Sequence, residues 1–416
     1  MPHSNPHIEL VWLSDSSSPP DWTLGKIIIC RPTPQAITAG INAHLAASQA
    51  GAWLFWDPEV GDLPASGCLQ ACLDGPADLW HAGLSLGMSG QPPLINFVSP
   101  TGMLNRDPDR HIEATSWRLS LRACLVRTDV LRHLGAPDPN FETLAGAGLE
   151  LGFRIIRHGA FPHHIPDLVK GEIKAEAIEI PLEDQLRFIK LGFDRRWLLW
   201  ACFRSLLQGY SHPGSLWRAW QTVEKETQPK KYQPYPHVIE TNQHSIQSAK
   251  VSVLIPTLRR YPYLRVLLSQ LRVQTHPPYE VLVIDQTPSD QQEPNLSAEF
   301  PDLPLHWFTL DQPGQCTSRN FGLQKAGGNF ILFIDDDDEV PPDLIEKHLE
   351  ALYSLGIKVS NGVAQELGTG SLPENFRWMR VSSVFPTNNT MIRKGVLHTS
   401  GLFDLAYDHG QRADHD

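Results

Sequence analysis

The chain has 416 residues, enough for two or three domains with buried cores. At 41% hydrophobic, 19% charged and 9% aromatic it is neither a disordered nor a collagen-like chain. A net charge of −11 excludes a strongly basic nucleic-acid binder, and most of the excess acid falls after residue 250.

The opening MPHSNPHIEL has no basic stretch leading into an apolar one, so it does not read as a signal peptide. No apolar run approaches the roughly 18 residues that a membrane span needs. The six cysteines, Cys30, Cys68, Cys72, Cys124, Cys202 and Cys316, form no CxxC pair and no zinc-like spacing with histidine. Cys68 and Cys72 can share a helix face, where they read as small buried residues. This cysteine usage suits a reducing compartment and a cytoplasmic location.

In chain order, GKIIIC, AWLFW and PLINFV read as buried strands bounded by turn residues. Residues 182–225 read as helical, with Trp197, Trp200, Trp217 and Trp220. QPKKYQPYPH, at 228–237, and the polar TNQHSIQSAK that follows read as a linker. From Lys250 the pattern becomes regular: VSVLIP is a strand, YPYLRVLLSQLRVQ a helix, EVLVID and LHWFTL strands, TSRNFGLQKA a helix, NFILFID a strand, and PPDLIEKHLEALYSL a helix. Short apolar strands alternating with helices predict a largely parallel sheet covered on both faces. Ligands in such sheets bind beyond the carboxyl ends of the strands.

The most informative segment is FILFIDDDDEVPPDLI, where five acids, Asp335 to Glu339, follow a buried strand directly. Like charges about 5 Å apart repel by roughly 3 kcal/mol per pair at an effective dielectric of 20. A divalent cation held by carboxylates and completed by water and phosphate oxygens offsets that cost. Capping of the following helix accounts for one or two of the acids, hardly for five. Two weaker signals accompany this one. Arg319, near the start of a helix, places a guanidinium beside a helix N-terminus, a combination that suits a phosphate oxyanion. Asp285 ends the strand EVLVID, where a carboxylate can accept a hydrogen bond from a base N–H or simply serve a turn.

The order VSVLIPT, EVLVIDQT, SRNFGLQKAGGNFILFIDDDDEVPPDLI, NNTMIRKGVL, GLFD and RADHD resembles the family 2 inverting glycosyltransferases of GT-A fold, across residues 250–416. The resemblance implies that Pro256 and Thr257 border the nucleotide pocket and that Asp285 holds the base. Asp335 and Asp337 would be the outer acids of a DxD motif. Asp337 ranks first as metal ligand, Asp335 reaches toward the ribose and diphosphate, and Asp338 assists. Arg319 would lie near the donor pocket, and Mg²⁺ or Mn²⁺ would be the cofactor. The family's catalytic base falls in Ala413-Asp414-His415-Asp416. Asp414 takes its position, with Asp416 second, and Ala413 stands where glutamate is usual. Because the family continues past this motif, the chain reads as truncated after Asp416.

The first 180 residues echo the same plan. GAWLFWDPEVGDLP resembles a strand and DxD turn that here reads Asp57-Pro58-Glu59, and AGAGLELGFRIIRHGA resembles the acidic helix, with Arg154 and the Gly159 turn retained. The position of the base falls on Gly148, after Ala147, and glycine cannot take a proton. The expectation is therefore an α/β fold of two GT-A-like domains: a degenerate one at 1–180, a helical segment and linker at 181–249, and a family 2 domain at 250–416. An unrelated α/β domain is the alternative for the first.

The implied function is metal-dependent, inverting transfer of a sugar from a nucleotide-diphosphate donor, UDP-type favoured, to a glycan or lipid-linked acceptor, with no nucleic-acid partner. Residues 184–208 carry Phe188, Leu191, Trp197, Trp200 and Phe203 among Arg187, Lys190, Arg195, Arg196 and Arg204. They suit an anionic membrane surface, or a helix packed in the protein with its basic residues solvated or facing acids. The rival functions are an inactive carbohydrate-binding or scaffolding pseudo-enzyme and a nucleotidyltransferase. The latter needs a glycine-rich loop after its first strand, and PTLRRYPYL contains no glycine.

Overall fold

The computed structural model describes residues 6–15, 18–98, 109–171, 178–227, 230–237, 243–293, 296–366, 368, 370–373, 376–382 and 384–408. The chain forms two compact units, one of residues 1–237 with Trp378–Val381 and one of 238–377 with 382–416.

The first unit runs β1 (Ile8–Leu13), β2 (Ile27–Cys30), α1 (Pro34–His44), β3 (Ala52–Trp56), α2 (Ser66–Asp74), β4 (Leu79–His81) and α3 (Pro93–Val98). It continues with β5 (Ala114–Thr115), β6 (Ala123–Arg127), α4 (Thr128–Leu134), α5 (Leu144–Arg157), β7 (Pro162–His164), α6 (Leu182–Gly192), α7 (Arg195–Leu207) and α8 (Pro213–Glu226). Among the described residues its sheet has the order β2-β1-β3-β6-β4-β7-β5. Successive side chains of a strand point to opposite faces, and both faces are covered. Trp53 and Phe55 of β3 join the core shared with α1, α4, α5 and α6, while Leu54 and Trp56 join the one shared with α2. The near-continuous apolar character of AWLFW follows from this double burial.

PLINFV, expected as a strand, is helix α3. Pro93 supplies a first position that needs no N–H, and Leu94, Ile95 and Val98 bury one face at helical spacing. A short apolar run does not distinguish the two states by itself. Residues 230–237, expected as linker, are tied to the first unit. Arg154 donates to the Tyr232 hydroxyl at 2.8 Å, the Tyr235 N–H donates to the His158 carbonyl at 2.7 Å, and His237 Nε2 lies 2.6 Å from the Gly159 carbonyl. Helix α6 is also part of this unit. Phe188 is buried, and buried Arg187 pairs with Asp184 at 3.0 Å and with Glu226 at 3.0 Å.

The second unit runs α9 (Gln243–Gln247), β8 (Val251–Thr257), α10 (Tyr261–Leu271), β9 (Glu280–Asp285), β10 (Leu305–Thr309) and α11 (Gln315–Lys325). It continues with β11 (Phe330–Phe333), α12 (Leu344–Ser354), β12 (Val359–Asn361), β13 (Thr390–Arg393) and α13 (Leu397–Ser400). The sheet order is β10-β9-β8-β11-β13-β12. Val251, Val253, Ile255, Phe330 and Leu332 face α10 and α12, while Leu254, Ile331 and Phe333 face α11.

The two sheets share a plan. In each, the first strand lies between the second and a further strand, β3 in the first sheet and β11 in the second, parallel to both. A later strand then runs antiparallel beside β3 or β11, and a strand lying between those two in sequence runs antiparallel beyond it. Thus β2-β1-β3-β6-β4 corresponds to β9-β8-β11-β13-β12 in order and direction.

Candidate functional site

The carboxyl ends of β9, β8 and β11 lie side by side in the second sheet. Thr257 is the register partner of Asp285, and Pro256 that of Ile284. Leu254 partners Phe333, two residues before the acidic run. Pro256, Thr257, Asp285, Asp335, Asp337 and Asp338 therefore gather at one end of the sheet.

Strand parity sorts the first acids of the run. Phe330, Leu332 and Ile334 share the face toward α10, and Asp336 continues that row. Asp336 is accordingly buried. It accepts a hydrogen bond from the Thr257 hydroxyl at 2.7 Å and one from Arg260 at 3.3 Å. Burial raises its pKa above the usual carboxylate value. Asp335 continues the other row, toward α11, and accepts from Arg319 at 2.9 Å. Asp337 lies in the turn, half-exposed, paired with Arg260. Asp338 folds back, its carboxylate accepting from the Asp335 N–H at 3.1 Å. Burial first, then the neighbouring aspartates, push the Asp338 pKa up to about 6.

Asp285 is buried, with one oxygen accepting from the Tyr261 hydroxyl at 2.7 Å and the other from the Thr287 N–H at 2.9 Å. Each carboxylate oxygen keeps a further lone pair. Arg319 is buried, its Nε without a hydrogen-bond partner among the described residues. The N-terminus of α11, which the sequence suggests for an oxyanion, already holds one. Asp408 accepts from the N–H groups of Cys316 and Thr317 at 2.8 Å each, and from the Thr317 hydroxyl. A carboxylate suits the positive end of a helix dipole, and the sequence reading did not include this residue.

Arg260 and Asp336 are also additions to that reading. Asp336 was legible in the alternation of β11, whereas Arg260 carried no signal, since its partners lie 76 and 77 residues away. Asp414 and Asp416 fall outside the described residues.

Two guanidiniums, Arg260 and Arg319, face the four carboxylates of Asp335 to Asp338. The remaining excess of negative charge and the all-oxygen donor set fit a hard divalent cation. Among the described residues no three carboxylates, histidines or cysteines already converge on a metal position, so a cation here would draw other ligands from water and phosphate.

In the first unit, Asp57 follows β3 as the acidic run follows β11. Its carboxylate accepts from Arg122 at 2.6 Å and caps the next turn through the Glu59 N–H, and Glu59 also faces Arg122 at 3.4 Å. A guanidinium thus compensates both acids. Gly148 sits inside α5, where a Cβ would lie 2.5 Å from the Leu119 carbonyl oxygen, and at Gly152 it would lie 2.0 Å from that of Trp117. Backbone packing leaves no room for a side chain at either glycine. The neighbouring Glu150 is buried against Arg154 at 2.7 Å.

The family model for glycosyl transferase family 2 matches residues 252–398. The chain is 27% identical over 168 residues to the uncharacterized glycosyltransferase YwdF of Bacillus subtilis, covering 37% of this chain and 62% of that one. It is 28% identical over 116 residues to the glycosyltransferase GlyA of Streptococcus pneumoniae, covering 27% of this chain and 16% of the other. The chain thus spans less than two thirds of these relatives' lengths. A solved Staphylococcus aureus TarS fragment, residues 1–349, is 22% identical over 40% of this chain and 53% of its own, with a TM-score of 0.33. That overlap is too partial to bear on fold or ligand.

Proposed function

With a glycosyl transferase family 2 domain at residues 252–398, we propose that the protein transfers a sugar from a nucleotide-diphosphate donor to an acceptor hydroxyl with inversion at the anomeric carbon. The carrying observation is the gathering of Thr257, Asp285 and Asp335 to Asp338 at the ends of three adjacent strands inside the matched segment. In this reading Asp285 accepts from the base of a UDP-type donor through its spare lone pairs, beside Pro256 and Thr257. Arg319 and Asp335 border the ribose and diphosphate.

Asp337 would hold a Mg²⁺ or Mn²⁺ ion, with Asp335 and Asp338 contributing. When bound, the ion supplies positive charge to the departing diphosphate. Asp414 takes the proton of the acceptor hydroxyl as its oxygen bonds to the anomeric carbon. The bond from that carbon to the diphosphate oxygen breaks on the opposite face, its electron pair leaving with the diphosphate. Asp416 is the second candidate for the base.

The first unit is a degenerate copy that lacks the base. The corresponding strand orders support this reading, as does Gly148, where a Cβ would lie 2.5 Å from the Leu119 carbonyl oxygen. A glycan or lipid-linked acceptor and a cytoplasmic site, with all six cysteines free, complete the proposal.

Calorimetry with UDP, with and without EDTA, tests the donor site. Affinity should need the divalent ion, and Asp337→Asn should weaken it far more than Asp57→Asn. Equal affinity in both buffers would sink the metal assignment. Asp414→Asn should leave UDP binding intact and lower transfer by about 10²–10⁴-fold, the usual contribution of a general base. Normal transfer by that variant together with a dead Asp416→Asn would move the base to Asp416.

A further inference from the structure

Helix α7 is apolar on more than the side it buries. Leu198, Ala201 and Ser205 face the core of the first unit. The opposite side exposes Trp197, Leu199, Trp200, Phe203, Leu206 and Leu207, each between 41% and 67% accessible. Scattered apolar residues on a surface are ordinary, but here they make up nearly half of one helix. At 3.6 residues per turn Trp200, Phe203 and Leu207 form one seam, and Arg196 stands on the same seam one turn earlier.

The charges of the helix have one sign. Arg195, Arg196 and Arg204 lie within it, and no Asp or Glu does. Arg195 and Arg196 are exposed and make no ion pair among the described residues. The Arg204 guanidinium lies 5.1 Å from the Phe97 ring and 5.5 Å from that of Trp200. In a chain of net charge −11, this is a cationic, tryptophan-bearing strip.

We propose that the exposed face of α7 lies flat on an anionic lipid surface. Its aromatic seam would enter the headgroup region while Arg195, Arg196 and Arg204 meet lipid phosphates. The occupant follows from charge complementarity. The exposed arginines of α7, with no acid in the helix, complement lipid phosphates. Tryptophan is enriched at the boundary between apolar and wet surroundings, and arginines beside it are attracted to the phosphates of an anionic leaflet. Buried α6 takes no part, which narrows the contact from 184–208 to α7. The proposal is independent of the transfer reaction.

The test is flotation of the full chain with vesicles containing about 30% phosphatidylglycerol in phosphatidylcholine, compared with phosphatidylcholine alone. The chain should float with the anionic vesicles, detach in high salt, and ignore the neutral ones. Trp200→Ser with Phe203→Ser should abolish flotation. Arg195→Glu with Arg196→Glu should lower it at least about tenfold. Tyr263→Ser, an equally exposed aromatic of the second unit, should change nothing. Circular dichroism would verify that each variant is folded, and the salt dependence of the unaltered chain gives an answer even if one is not. Failure to float with anionic vesicles would overturn the proposal, as would flotation untouched by the α7 substitutions. A wild-type dimer that becomes monomeric in the Trp200/Phe203 variant, without vesicle binding, would assign the face to a second copy instead.

Discussion

Adjacent aspartates in the acidic turn should differ severalfold in what their removal costs. Asp336 is 4% exposed and holds the Thr257 hydroxyl and Arg260. A hydrogen bond to a charged group contributes about 1.5–3 kcal/mol. The Arg260 contact, with Arg260 half-exposed, adds at most about 1 kcal/mol. Asp336→Ala should therefore destabilise the join between β8 and β11 by about 2–4 kcal/mol, because a buried hydroxyl loses its acceptor. Asp337→Ala breaks a half-exposed ion pair with Arg260 and should cost no more than about 1 kcal/mol. Hydrogen–deuterium exchange, read by mass spectrometry on peptides spanning 251–257 and 330–334, measures this locally. Protection there should fall by about 30-fold or more in the first variant and by less than about sixfold in the second. Thr257→Val should reproduce much of the Asp336 effect, and the double variant should lose less than the sum of the singles. Equal protection in the Asp336 and Asp337 variants, or strict additivity with Thr257, would refute the assignment of Asp336 as the structural acid.

Gly152→Ala should destabilise the first unit by about 1–3 kcal/mol, although alanine ordinarily strengthens a helix by about 1 kcal/mol, because its Cβ would meet the Trp117 carbonyl at 2.0 Å. A raised thermal midpoint would show that α5 is not packed on that backbone. His81 is buried, with Nε2 2.8 Å from the Ser116 carbonyl and Nδ1 accepting from the Gly83 N–H. Burial, then the nearby histidines, lower its pKa from 6.5 to about 3. The folded state thus binds this proton more weakly than the unfolded one. Its contribution to stability is complete above pH 6.5 and is lost as pH falls toward 3, at up to about 1.4 kcal/mol per pH unit. His81→Asn should remove one proton from the slope of stability against pH, and an unchanged slope would refute the argument.

Much of the second unit was legible because local pattern and tertiary environment agree there. VSVLIP, EVLVID and NFILFID are apolar on both faces since the sheet is covered on both. The carboxyl ends of EVLVID and NFILFID carry Asp285 and the run from Asp335. PLINFV was misread because six apolar residues satisfy either period, and only packing chose the helix. The helices after residue 180 looked alike in composition, yet α6 turns Phe188 inward and pairs Arg187 with Asp184 and Glu226, whereas α7 leaves its aromatics outside.

The sequence by itself determined which segments are apolar at which period, and where carboxylates must crowd at a strand end, because both are properties of neighbours along the chain. Tertiary structure alone decided which acid is buried, which guanidinium compensates it, that Asp408 caps α11, and which apolar face stays uncovered. Those outcomes depend on partners many residues away, 76 for Arg260 with Asp336 and 91 or 92 for Asp408 with α11. No local propensity encodes such partners, and only the closing of the sheet brings them within hydrogen-bond reach.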